Sequence, residues 1–256
     1  MECTTYKLEM STIKLDCGIQ TGSMLVVAGR RKYDDGCAVS HALDLIGERW
    51  ALLIVRELLL GPKRFTDLRA GVSGASPDVL AQRLRELKDA GVVRQRKLPP
   101  PVGSRVYELT DWGGELEPIV TQLGRWGSRS PSLPHDAESS VDSLVLSLRS
   151  LFDPRSARGF RATVALRIGD DRFSVRIADG WLQLARGEAD RPDATIQADS
   201  RTLAALIHRD RDLADALQAG DVKIEGRIAA VERFVTLFPL PEPATPGSVL
   251  AVEGAH

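Results

Sequence analysis

Apolar residues recur at helical spacing over 39–45 and again over 50–60, where Gly61-Pro62 stops the second run. The segment "RFTDLRAGV" (64–72) predicts a short helix with Phe65 and Leu68 inward. In "GASPDVLAQRLRELKDAG" (74–91), Leu80, Leu84 and Leu87 share one face of a longer helix. Ser76 suits its N-cap, Pro77 its first position, where the missing N–H costs nothing, and Gly91 its end. Two strands are then predicted over 92–96 and 105–109, joined by a Pro-Pro-Pro-Val-Gly tip. Thr110 caps a last helix carrying Leu116, Ile119, Val120, Leu123 and Trp126.

The Ser-, Pro- and Gly-rich "GSRSPSLPHDAESS" (127–140) reads as a break between halves. Beyond it, alternation puts Val164/Leu166/Ile168, Phe173/Val175/Ile177 and Leu182/Leu184 on inward strand faces, with turns at Gly169-Asp170 and Asp179-Gly180. Ser200 is expected to cap a helix, "RDLADALQAG" to form a second, "VKIEG" a short strand, and "RIAAVERFVTLFPL" a last amphipathic helix. The predicted fold class is α+β: a mostly α N-terminal winged helix-turn-helix with a β-hairpin wing, then an antiparallel sheet covered by helices. The expected division is a leader over 1–33, a first unit over 34–127, a linker over 128–142, a second unit over 143–240 and a tail over 241–256. Met24 offers a second initiation point within the leader.

Charge sharpens this picture. Residues 30–132 hold 17 Lys+Arg against 13 Asp+Glu, and residues 133–256 hold 15 against 19. Within 62–105 alone the count is 10 basic to 4 acidic. A helix, a short helix, a turn, a capped basic helix and a basic hairpin follow the order of a winged helix-turn-helix. A recognition helix exposes polar side chains that reach base edges, and its start approaches phosphate because free N–H groups favour anions. Ser76 and Pro77 are thus placed at phosphate, Gln82 with Arg83 or Arg85 at bases, and Arg94, Arg96, Lys97 and Arg105 on the DNA backbone. The same parts also suit a protein-interaction module; the ten basic residues favour double-stranded DNA.

Catalytic constellations are not found. His41, His135, His208 and His256 lack metal-ligand spacing, and no phosphate-cradling loop or nucleophile elbow occurs. No enzyme activity, cofactor or metal is expected. With Cys3, Cys17 and Cys37 forming no disulfide framework, and no apolar run long enough to span a bilayer, a cytoplasmic protein without membrane association is expected.

The blocks from Trp50 to Leu68, from Ser76 to Val92 and from Tyr107 to Leu116 resemble the HxlR-type family of bacterial transcriptional regulators over 37–127. The resemblance implies a homodimer on palindromic DNA, paired through its terminal helices by Leu43, Ile46, Leu116, Ile119, Leu123 and Trp126. Asp78, where the family often has a basic residue, "GER" before Trp50 and the triple proline depart from its pattern and bear on the operator sequence. Over about 144–240 the chain resembles a sterol-carrier-protein-like domain, marked by "GDVKIEG" between helices. That implies an apolar tunnel for a lipid-like or other apolar small-molecule effector, with Phe173, Trp181, Leu206, Phe234 and Phe238 as lining; each is also a natural core residue. A carrier of a lipid-like ligand is the alternative. Val39, Leu43 and Ile46 are expected to pack inward on the entry helix. Cys37 stands just before that helix, where some members of the resembled family sense oxidants or electrophiles. A helix start favours thiolate, while Asp34 and Asp35 oppose it, and packing is the leading reading.

Overall fold

The computed structural model describes residues 32–101, 103–134 and 139–245. Cys3, Cys17, Met24, His135, His256 and most of the leader and tail lie outside the described residues. The first half comprises α1 (Ala38–Ile46), α2 (Ala51–Leu58), α3 (Phe65–Gly71), α4 (Pro77–Asp89), β1 (Val93–Lys97), β2 (Arg105–Leu109), α5 (Asp111–Gly114) and α6 (Glu117–Gly127). Its core joins Ile54, Val55 and Leu58 of α2 to Leu68 of α3 and Leu80, Leu84 and Leu87 of α4. Ser76 Oγ accepts from Val79 N at 3.3 Å, and Pro77 opens α4 as predicted. Gly91, at φ +72, ends it in a left-handed turn that lets Val92 N–H reach back to Leu87 O at 2.9 Å.

Thr110 joins the wing to this helix end. Its hydroxyl donates to Gly91 O at 2.7 Å and accepts from Gly113 N at 3.0 Å, while its N–H bonds Val92 O. Gly113 lies against that carbonyl so closely that a Cβ there would overlap it. The expected last helix is therefore two: the short α5, then α6, broken at Glu115 and Leu116.

The second half begins with a helix that the sequence reading had passed over. Ser140 caps α7 (Val141–Leu151) through Ser143 N at 3.0 Å, so the stretch expected as a linker over 128–142 ends inside a helix. Then follow β3 (Ala162–Ile168), β4 (Asp171–Ala178), β5 (Trp181–Arg186), β6 (Ala194–Ala198), α8 (Ser200–His208), α9 (Leu213–Ala219), β7 (Val222–Gly226) and α10 (Ile228–Phe234). The cap of α8 is Asp199, not Ser200: its carboxylate accepts from Thr202 N at 2.6 Å. The sheet order is β5-β4-β3-β6-β7. It is not wholly antiparallel, because β6 returns to the far side of β3 and runs parallel to it. Alternation alone marks faces and carries no strand direction. The fold class is α+β.

The two halves share an interior. Leu60, just past α2, belongs to the same buried cluster as α7 and the sheet, and α7 packs along α6. At this seam Glu57 is fully buried. Lys63 Nζ lies 2.5 Å from Glu57 and 2.7 Å from Asp142, itself 2% exposed. Ser140 Oγ donates to Glu57 at 2.6 Å, Arg56 pairs with it at 2.9 Å, and Arg186 of the sheet pairs with Asp142. A Cβ at Gly71 would overlap the Glu57 carboxylate, so that glycine is needed for the approach. Burial pushes the Glu57 pKa up, but hydrogen bonds from Lys63 and Ser140 and the charges of Lys63 and Arg56 hold it below its ordinary value.

Two outcomes follow. Asp142→Ala leaves the largely covered Lys63 without one of its partners and is expected to cost about 3 kcal/mol in urea unfolding. The stability that Glu57 supplies is present above its unfolded pKa of about 4.3 and is lost as pH falls through the lower folded value. Glu57→Gln should therefore flatten the acid side of the urea-midpoint profile relative to the natural chain; an unchanged slope there would remove Glu57 from the account.

Candidate nucleic-acid interface

The exposed side of α4 carries Ser76, Pro77, Asp78, Gln82 and Arg85, with its leucines turned to the core. Gln82 Nε2 donates to Glu86 at 3.0 Å, which fixes its amide along the helix. Arg83 is placed differently from expectation. It is half-buried, pairs with Glu86 one turn on, and lies 3.2 Å from Glu48. Its guanidinium ties α4 to the α1–α2 connection instead of projecting outward, which corrects its assignment as a base reader.

The wing separates its cations by face. Arg94 and Arg96 lie on the same side as Glu108, which accepts from both at 2.8–2.9 Å. The Arg96 hydrogen bond in turn holds the Glu108 carboxyl below its usual range against the opposing effect of burial, and the Arg94 hydrogen bond lowers it further. Their charge toward an approaching phosphate is thereby partly offset. Lys97 and Arg105 face each other across the strands on the other side and are exposed. The wing is also held to the α2–α3 connection, where Lys63 and Tyr107 exchange backbone hydrogen bonds at 2.9 and 2.8 Å. One residue, Lys63, thus touches the wing through its backbone and the buried seam through its side chain.

The residues expected at a dimer interface divide into two groups. Ile119, Leu123 and Trp126 form an exposed stripe on α6, Trp126 at 74%, and Leu43 is exposed on α1. Ile46 and Leu116 are half-buried against the first-half core, so they face their own chain. Val39, expected inward with Leu43, is 66% exposed, because α1 contains no buried residue at all. Cys37 is likewise exposed at the α1 N-cap, which corrects the packing reading. The backbone N–H groups of Ser40 and then Val39 lower its thiol pKa. Asp35 is engaged with Ser40 Oγ at 2.8 Å and Cys37 N at 3.1 Å.

In the second half, Phe173, Leu206, Phe234 and Phe238 fill the core between sheet and helices. The rings of Phe234 and Phe238 meet edge-on at 5.0 Å. Four of the five residues expected to line a tunnel are therefore packing, because the helices close directly on the inner face of the sheet. Trp181 lies on the opposite face and is 80% exposed. It borders an open groove of about 970 Å³ between α6 and the β4–β5 hairpin, floored by Phe152. Among the described residues no cluster of His, Cys, Asp and Glu could hold a metal, and no helix is long and apolar enough to cross a membrane.

Comparison with known proteins places these parts. Residues 45–133 match the model described as HxlR-like helix-turn-helix. The chain is 38% identical over 87 residues to the uncharacterized HTH-type transcriptional regulator YvaP of Bacillus subtilis, covering 34% of this chain and 81% of that one. The chain belongs to the HxlR-like helix-turn-helix family. The HTH-type transcriptional regulator YodB of Bacillus subtilis is 33% identical over 91 residues, covering 36% of this chain and 81% of that regulator. The solved structure of a putative HTH-type transcriptional regulator, ytcD, is 32% identical, covering 36% of this chain and 94% of its own, with a TM-score of 0.34. Residues 137–244 match a model of another name than the sterol-carrier resemblance, the alkyl sulfatase C-terminal family. A double mutant of the sec-alkyl sulfatase PisA1 aligns over 43% of this chain at 21% identity and TM-score 0.36; the alignment spans 17% of that structure.

Within this HxlR-like unit, Arg85→Ala should weaken a preferred DNA sequence about tenfold more than random DNA in fluorescence anisotropy. Arg83→Ala should lower the melting temperature first. Equal loss on both DNAs for Arg85→Ala would move that residue from bases to phosphate.

Proposed function

We propose that the chain is a cytoplasmic, homodimeric transcriptional regulator that binds palindromic operator DNA and answers to a small effector with a substantial apolar body. The observation that supports it best is the arrangement of α4: a capped helix with an apolar inner face, an open polar outer face, and exposed Lys97 and Arg105 on the adjoining wing. In this reading the unit over 34–127 reads DNA and dimerises, and the unit over 143–240 senses. Ser76 and Pro77 at the helix start approach phosphate, Gln82 and Arg85 face base edges, and Lys97 and Arg105 neutralise the DNA backbone, with Arg94 and Arg96 assisting from the Glu108 side. Ile119, Leu123 and Trp126 pair the two copies, joined by Leu43. Binding, not catalysis, is the role assigned to both halves.

Effector binding acts on DNA affinity only if it favours one arrangement of the dimer. Two connections carry it: α6, which packs on α7 and bears the apolar stripe, and Lys63, which links wing and seam.

A second reading concerns Cys37. Its full exposure at a helix start, with backbone N–H groups favouring thiolate, suits an oxidant-sensing thiol in a DNA regulator. Cys37→Ser should then retain DNA binding in diamide while the natural chain releases DNA; equal release by both would remove this reading.

The regulator reading is tested by an electrophoretic shift on the DNA upstream of its own coding sequence over a range of salt concentrations. Sequence-dependent retardation is expected, with half-sites about 10 base pairs apart and affinity falling steeply with salt. Lys97→Ala and Arg105→Ala should each lower the salt slope by about one. Absence of both sequence preference and salt dependence would overturn DNA binding. Leu123→Asp should convert the dimer to a monomer in sedimentation equilibrium; a chain already monomeric would overturn the pairing.

A further inference from the structure

The groove beside Trp181 lies between the two halves. One wall is the side of α6 bearing Pro118 and Thr121, facing away from Ile119, Leu123 and Trp126; the other is the β4–β5 hairpin. That hairpin is fixed by Asp179 and Gly180, both left-handed at φ +54 and +77, as a tight Asp-Gly turn requires. Strand β5 is the edge of the sheet, and its Leu184 carbonyl, turned from β4, accepts from Arg149 at 3.1 Å. Apolar surface comes from Phe152, Pro154, Trp181 and Leu182. A volume of about 970 Å³ is within the range of small-molecule sites.

Charge gives the groove a direction. Its two acidic side chains are already engaged, Glu117 by Arg149 and Asp179 by Arg161. Arg158, exposed on the connection between α7 and β3 that also lines the groove, has no acidic partner among the described residues. An indole 80% exposed at the lip of an apolar groove that an uncompensated guanidinium also lines is a recognition arrangement for a molecule with one apolar and one anionic end.

We propose that this groove binds an amphiphilic organic anion, an alkyl or aryl body with a carboxylate, sulfate or sulfonate head. Its body lies on Phe152 and Trp181 and its head meets Arg158. The ligand touches α6 directly, the helix whose opposite face carries the apolar stripe, so it bears on subunit pairing without entering the filled core of the second half. This assignment rests on the effector reading above and names its site and ligand class.

Isothermal titration of the full chain with decanoate, beside uncharged decanol, tests it. One saturable decanoate site per chain is expected, at least tenfold weaker in Arg158→Glu, with decanol binding unchanged by that substitution. Trp181→Ala should weaken both. Arg158 and Trp181 are exposed, so both variants should melt as the natural chain does, which a thermal scan checks. No saturable decanoate binding, or full affinity in Arg158→Glu, overturns the assignment. Sequence-dependent DNA retardation without ligand, measured on the same preparation, separates the two readings. Its persistence beside a failed titration sinks the groove alone; its absence beside a successful titration sinks the regulator and leaves the site.

Discussion

The deepest link between the two halves of this molecule is a small group of buried charges. Glu57 is wholly removed from water, and such a carboxylate persists only if opposite charges and hydrogen bonds replace its hydration. Lys63, Arg56 and Ser140 supply them, and Lys63 is shared with Asp142, which Arg186 also holds. The partners come from the α2 helix, the α2–α3 connection, the cap of α7 and strand β5. None can shift alone without stranding a charge. The seam therefore ties the two halves together at this point, and it disfavours any side chain at Gly71, which would push the carboxylate off its partners.

That constraint explains why the wing belongs to the same account. Lys63 pairs its backbone with Tyr107 on β2, so the orientation of the hairpin is set by a residue whose side chain is committed to the seam. At the other end of the wing, Thr110 ties β2 to the end of α4. Helix α4, the wing and the second half are thereby registered to one another by three short-range connections. Helix α6 adds a further link, packing along α7 and pairing Glu117 with Arg149 while its apolar stripe stays exposed.

Much of this was legible in the sequence wherever a local rule decided it. Ser76-Pro77 marked the start of α4, Gly91 its end, Thr110 the next cap, and the alternation of Val164, Val175 and Leu184 the inner face of the sheet. Several of the differences share one cause, partners distant in sequence. Arg83 looked like a base reader because Glu48, 35 positions earlier, could not be placed beside it. The role of Glu57 depends on Ser140, 83 residues away. Phe173, Phe234 and Phe238 carried the same apolar signature whether core or pocket, and only the closure of the helices on the sheet decides between them. The α7 helix is different, for Leu144, Val145, Leu148 and Leu151 have helical spacing in the sequence itself, directly after the Ser- and Pro-rich run.

The central claim is that α4 and the wing face DNA from each copy of a dimer. Hydroxyl-radical footprinting of the full chain on a sequence selected by repeated binding tests it most directly. The account predicts two protected patches on one face of the duplex, centred about one helical turn (about 10 base pairs) apart, with flanking protection from the wings. A single asymmetric patch, or uniform protection that follows the protein along any sequence, would contradict it.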